Sequence, residues 1–127
     1  MRYLLCLLFV CGTIACSSVP QEQLDGYPQF TPEEMGVNVL DKLVKSPTPR
    51  YPSLALEVGL EGYCIVQFNI TPDGTTYNSK RIKCTHPIFT SSSLKSADEL
   101  LFEKPMYKGQ RVIIKDVSWK VSFAISK

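Results

Sequence analysis

The chain carries little that a catalyst could use. It has one histidine, His86, placed before Pro87 in a connecting segment. No cysteine or carboxylate stands at metal-ligand spacing from it and no nucleophile lies beside it, so it reads as a solvated side chain. There is no glycine-rich phosphate loop. Asp98 and Glu99 are adjacent on a helical stretch and point in different directions, which excludes an acid–base pair. Ser91, Ser92 and Ser93 fit helix capping better than nucleophilic catalysis. These absences leave no argument for an enzyme, a metal or a cofactor. An excess of one sign of charge is missing too: the formal net charge is +2 with 44% hydrophobic residues, an ordinary small domain and no nucleic-acid binder. Long apolar runs are also missing. The longest, Tyr3 to Ala15, is broken by Gly12 and Thr13 and falls short of the roughly 20 residues a spanning helix needs.

What that run does supply is a leader. Met1-Arg2 gives a positive start, an apolar stretch follows, and small residues close it, the pattern of a secretory signal peptide over residues 1–15. Thr13-Ile14-Ala15-Cys16 resembles a bacterial lipobox, with threonine where leucine is commonest. That resemblance implies a lipid-bearing Cys16 as the new N-terminus, and several acyl chains together give a stable membrane anchor. Ser17 in the next position, where aspartate would retain the protein, points to the outer membrane. Residues 16–30, with Pro20, Gly26 and Pro28 among scattered polar residues, read as a tether without a core of its own.

Residues 31–47 read as a short amphipathic helix and linker. Thr31-Pro32-Glu33-Glu34 is a capping-box start, and Val37, Leu40 and Val44 recur at helical spacing, which predicts one helix over 32–44. Ser46-Pro47-Thr48-Pro49 breaks it. A second short helix is expected after Pro52, with Leu54, Ala55 and Val58 as its apolar face and Gly59 as its cap. The period then changes to two: Cys64, Val66, Phe68 and Ile70 fall on one face of a strand, Tyr63, Ile65, Gln67 and Asn69 on the other. Thr71-Pro72-Asp73-Gly74 is a turn, and the polar stretch Thr75 to Cys84 returns, with Lys80, Arg81 and Lys83 on a wet face. Phe89 to Phe102 reads as a helix carrying Leu94, Ala97 and Leu101. The clearest strand is last. Val117, Trp119, Val121, Phe123 and Ile125 face the core, alternating with Ser118, Lys120, Ser122 and Ala124. The order predicts a small α+β domain over 48–127: a three-stranded antiparallel sheet packed with two helices, preceded by a short N-terminal helix.

Pro49, Tyr51, Pro52, Ala55, Gly59, Glu61, Gly62, Val66, Phe68, Ile70, Asp73 and Gly74, in this order and at these spacings, resemble the C-terminal domain of the TonB family. The likeness runs from about Thr48 to Ile125. It departs at Leu100-Leu101-Phe102-Glu103-Lys104-Pro105, where the family has a tryptophan in place of leucine and one residue fewer before the proline. The resemblance implies an α+β binding module that recognises short extended peptides of outer-membrane transporters on the periplasmic side. It implies that residues Val117 to Ile125 take up the partner peptide as an added strand. An alternative in a different class is a structural or assembly lipoprotein that binds an envelope protein unrelated to such transporters. The proton-coupled anchor and long proline-rich span of TonB itself are not expected here.

After removal of the leader, Cys64 and Cys84 remain as an even pair in an oxidising compartment. A three-residue hairpin loop that sets Thr71 against Thr75 would place Cys64 opposite Ile82, with Cys84 one diagonal step away. Diagonal neighbours are roughly 7–8 Å apart, too far for a disulfide unless a bulge shortens the gap. Either a disulfide or two buried thiols fits the sequence.

Overall fold

The computed structural model describes residues 24–125. The leader, the lipobox with Cys16 and most of the tether lie outside the described residues. The described chain begins already inside the domain. Leu24 is buried, and β1 (Gln29–Phe30) joins the sheet, with Phe30 edge-on to Tyr107 at a centroid distance of 4.8 Å. The end of the stretch read as tether is therefore part of the packed unit.

Thr31 builds the expected capping box: its Oγ1 accepts the Glu34 N–H at 3.2 Å, and Glu34 Oε1 accepts the Thr31 N–H at 2.9 Å. The helix it opens, α1 (Pro32–Met35), lasts one turn. Gly36 takes φ 70° and returns its N–H to the carbonyls of Pro32 and Glu33, the left-handed cap that glycine adopts without a Cβ penalty. Asn38 Oδ1 then accepts the Leu40 N–H and starts a 3-10 turn, Val39–Lys42, which runs into β2 (Leu43–Lys45). One helix over 32–44 is thus not formed. Its expected apolar face is not buried: Val37, Leu40 and Val44 stay exposed, and Val39, outside that face, enters the core instead.

The helix after Pro52 is α2 (Ser53–Val58), closed by Gly59. Of its expected apolar face only Ala55 is buried; Leu54 and Val58 are 60% and 68% exposed. From here β3 (Gly62–Ile70) and β4 (Thr76–Cys84) form the hairpin read from the sequence, and Thr71 N–H donates to the Thr75 carbonyl at 2.8 Å. A 3-10 turn, Pro87–Phe89, leads into α3 (Thr90–Asp98). It is capped by exposed His86, whose Nδ1 accepts the Ile88 N–H at 3.1 Å; the serines 91–93 lie within α3. That helix stops at Asp98, short of Phe102. Leu101–Phe102 is β5, paired with β2, and the Phe102 N–H donates to the Gly74 carbonyl at 2.9 Å. β6 (Met106–Tyr107) and β7 (Gln110–Arg111) make a small hairpin, and β8 (Ile113–Phe123) is the last strand.

The main sheet has the order β1-β8-β3-β4. β3 is antiparallel to both long neighbours, so the expected three-stranded antiparallel sheet is present, extended at one end by the two-residue parallel β1. The core lies on one face only. Cys64, Val66, Phe68 and Ile70 of β3 and Val117, Val121 and Phe123 of β8 are buried there against Phe89, Ala97, Leu100 and Phe102. Phe89 stacks on Phe123 at 4.5 Å, and Tyr51 meets both rings edge-on at 6.2 and 5.6 Å. The Tyr51 hydroxyl also donates to the Leu60 carbonyl at 2.5 Å, tying the segment before α2 to the start of β3. Loss of hydration, and then the nearby Glu61 carboxylate, hold that phenol above its ordinary pKa.

Two irregularities decide the cysteine pair. The ladder starts in the expected register, Ile70 opposite Thr76 and Asn69 opposite Tyr77. It then shifts between Asn69 and Gln67 and again between Val66 and Ile65, each time passing one extra residue of β4. Asn78, at φ 54°, stands in the first of these bulges. Cys64 thereby meets Cys84, not Ile82, and the two form a disulfide with a Cα separation of 4.0 Å and a sequence separation of 20. A loop of that length loses about 3 kcal/mol of unfolded-state entropy when closed. Cys64→Ala with Cys84→Ala is expected to lower unfolding stability by about that amount in denaturant titrations. An unchanged midpoint, or two titratable thiols in the unreduced unfolded protein, would contradict the bond.

Candidate functional site

The outer side of β8, like that of β4 at the other end of the sheet, leaves backbone hydrogen-bonding groups without a strand partner. β1 covers Ile113 and Ile114 only, with the Ile113 N–H donating to the Pro28 carbonyl at 2.9 Å. Beyond that point no described strand lies along β8 on the side away from β3. The chain arranges a clean end to the β1 contact. Phe68 faces Val117 but Ile70 faces Ile114, so β8 carries an extra residue here, and Asp116 takes φ 60°. Asn69 Oδ1 accepts the Asp116 N–H at 3.0 Å and holds the bulge. From Val117 to Phe123 the strand is regular.

Which groups face outward follows from the opposite end. The Tyr63 carbonyl accepts the Thr85 N–H at 2.9 Å, and the Tyr63 N–H donates to Thr85 Oγ1 at 3.0 Å. Both polar groups of Tyr63 therefore point toward β4. In an antiparallel ladder the pairs alternate between hydrogen-bonded and not, so Tyr63 and Ser122, which are opposite each other, form a non-hydrogen-bonded pair. Ser122 then directs its N–H and C=O away from β3. Two residues back along the strand the same holds for Lys120, and then for Ser118. Val117, Trp119, Val121 and Phe123 direct theirs inward to β3. The three outward residues are exposed, and two of them are serines that let another chain approach closely.

Of the strand read from the sequence, Val117 to Phe123 is in place, with Val117, Val121 and Phe123 buried and Trp119 half-buried. Ala124 and Ile125 lie past the end of β8. There the Ile125 N–H donates to Glu61 Oε2 at 2.7 Å, a side-chain bond just before β3 in place of a ladder bond. The sequence reading also placed the strand's start at Val117. Ile113 and Ile114 were missed because the bulge at Asp116 interrupts the period of two.

A family model described as the Gram-negative bacterial TonB protein C-terminal matches residues 47–125. The chain belongs to this family. Among solved structures, the TonB C-terminal domain of Pseudomonas aeruginosa is similar, with 25% identity and a TM-score of 0.56 over 68% of this chain and 87% of that one. The tonB2 protein of Vibrio anguillarum shares the fold at 17% identity and a TM-score of 0.52, over 91% of this chain and 94% of that one. No curated protein matches the sequence. The TonB match spans the whole of β3, β4, α3 and β8, and so includes the open edge.

Among the described residues no group of histidine, cysteine, aspartate and glutamate is placed to hold a metal. No described helix is long and apolar enough to cross a membrane. Asp98 does not stand with a second carboxylate in a pocket; its Oδ1 accepts the Ser79 hydroxyl at 2.7 Å, tying α3 to β4. Ser92 Oγ donates to the Arg50 carbonyl, again a tie between elements.

Proposed function

We propose that this protein is a lipid-anchored binding module on the periplasmic side of the envelope. It takes up an extended peptide from an outer-membrane transporter or another envelope protein as a further strand beside β8. The observation that carries the reading is the outward set of Ser118, Lys120 and Ser122, with no described strand beside them. Main-chain groups of this kind supply affinity with little demand on side chains, and pockets or charges on either face add specificity. Lys120, in the middle of the edge, disfavours indiscriminate pairing with other sheets. Membership of the TonB family supports the peptide mode.

A photo-crosslinker in place of Ser118 tests the mode in cells. The expected adducts are to one stretch of an envelope protein, lost on Ser122→Pro. Adducts that persist in that background would place the partner elsewhere. The anchor has its own test. Cys16→Ala is expected to abolish incorporation of labelled palmitate and to leave unprocessed precursor, whereas normal processing and membrane fractionation of this variant would rule out lipidation at Cys16.

A further inference from the structure

The face of the sheet turned away from the core is basic, and its residues come from strands distant in sequence. Ile65 stands in register between Lys83 of β4 and Lys120 of β8, and Gln67 stands between Lys80 and Ser118. Residues opposite one another project from the same face, so Lys80, Lys83 and Lys120 share it with Tyr63, Ile65 and Gln67. The three lysines are exposed, and every buried residue of β3 and β8 from Cys64 to Phe68 and from Val117 to Phe123 belongs to the other face. Arg81, read from sequence as part of the same cluster, is opposite Val66 and so leaves it. Lys120 takes its place, with Nζ 4.5 Å over the Tyr63 ring.

Two strand spacings separate Lys83 from Lys120, roughly 10 Å. Among the described strand residues of this face there is no carboxylate to neutralise them. The acids nearest in the chain lie past its two ends: Asp116 at the bulge beside Asn69, and Glu61, which accepts the Ile125 N–H.

We infer that this face rests on the anionic headgroups of the membrane that holds the anchor. The inference depends on the lipid anchor proposed above. From Cys16 to Leu24, where the chain is already packed into the domain, is a stretch of eight residue steps. Fully extended, it reaches at most about 28 Å. A domain of this size is itself roughly 30 Å across, so one side of it is always within reach of the headgroups. Charge then selects the side. Each lysine near an anionic surface strengthens association roughly fivefold, so the three together strengthen contact through this face on the order of a hundredfold over a face without cations. The open edge of β8 borders the same face, which would hold the peptide-binding strand close to the bilayer.

The test uses the mature full-length lipoprotein reconstituted in vesicles of phosphatidylcholine, with or without phosphatidylglycerol. Amine-reactive labelling is read lysine by lysine by mass spectrometry, and intact mass reports the state of Cys16 in the same preparation. Labelling of Lys80, Lys83 and Lys120 is expected to fall severalfold in the anionic vesicles, relative to exposed Lys42 and Lys104, and to recover in high salt. Equal labelling in both vesicle types, with Cys16 acylated, overturns the membrane face alone. Unmodified Cys16 overturns the anchor and this inference with it. Protection that appears only when envelope proteins are added would assign the face to an acidic protein, and also overturns it.

Discussion

Replacing Ser122 by proline is expected to leave the domain folded and to weaken uptake of an extended peptide sharply. The N–H that proline removes points outward from β8, away from β3, so the ladder between the two strands keeps its bonds. The Ser122 side chain is exposed, and no core contact is lost. A peptide strand laid along the edge would lose one main-chain bond, worth about 1 kcal/mol, and would meet the pyrrolidine ring where the N–H had been. Together these predict affinity lowered on the order of tenfold to a hundredfold. Val121→Pro, one residue away, is the opposite case. Its N–H serves the pair with Cys64, and its side chain is 2% exposed. Losing both is expected to cost about 3 kcal/mol or more and to unfold the domain. Circular dichroism and peptide titration on the two variants separate the outcomes. If Ser122→Pro unfolds, the assignment of its backbone direction is wrong; if it folds and binds unchanged, the peptide docks elsewhere.

The second large effect is expected at Gly74. This residue closes the β3–β4 turn at φ 96°, and a Cβ built there would lie 2.1 Å from the Phe102 carbonyl oxygen. Here backbone meets backbone, so no side chain can swing aside. The turn is also bound from several sides. The Gly74 N–H donates to the Thr71 carbonyl, its carbonyl accepts the Phe102 N–H, and Arg111 bonds Pro72 O at 2.9 Å and Asp73 Oδ1 at 2.6 Å. Gly74→Ala must therefore pay for a left-handed conformation and for a displaced β5, each about 1–3 kcal/mol. A loss of about 2–6 kcal/mol in denaturant titrations is the expected result. Asp73→Ala removes only a half-exposed ion pair, with Arg111 and Asp73 37% and 72% exposed, and is expected to cost under about 1 kcal/mol. Equal losses at the two positions would contradict this reading of the turn.

The contrast between these neighbours shows what was legible in the sequence. Period two in Cys64 to Ile70 and in Val117 to Phe123 gave the two central strands, because burial on a single face forces strict alternation. Pro72-Asp73-Gly74 gave the hairpin, because turn chemistry is local. The first helix was overestimated because its apolar spacing continued beyond Gly36, while the chain itself stopped there: a left-handed glycine cap outweighs a weak hydrophobic pattern in a short segment. The end of α3 was misjudged for a non-local reason. Leu101 and Phe102 fit a helical repeat, yet their backbone is taken by Leu43, Lys45 and Gly74, and Phe102 packs against Phe68 at 5.9 Å. The bulges of β4 were not visible either. Asn78 is a residue that tolerates a left-handed backbone, but Tyr77 to Lys83 alone do not fix where the strand is passed over, and so the Cys64–Cys84 bond stayed one of two readings and the departure of Arg81 from the lysine face was not anticipated. The candidate edge was legible as a strand, and its unpaired side became visible only with the order β1-β8-β3-β4.

Amide hydrogen exchange along β8, with and without a synthetic extended peptide, tests the central claim most directly. The peptides would be drawn from the periplasm-facing segments of outer-membrane transporters. The N–H groups of Ser118, Lys120 and Ser122 are expected to exchange fast in the free protein and to become protected on binding, while those of Val117, Trp119 and Val121, already paired with β3, stay slow in both states. Protection of the inward set alone, or binding with no change at Ser118, Lys120 and Ser122, would contradict strand addition at this edge.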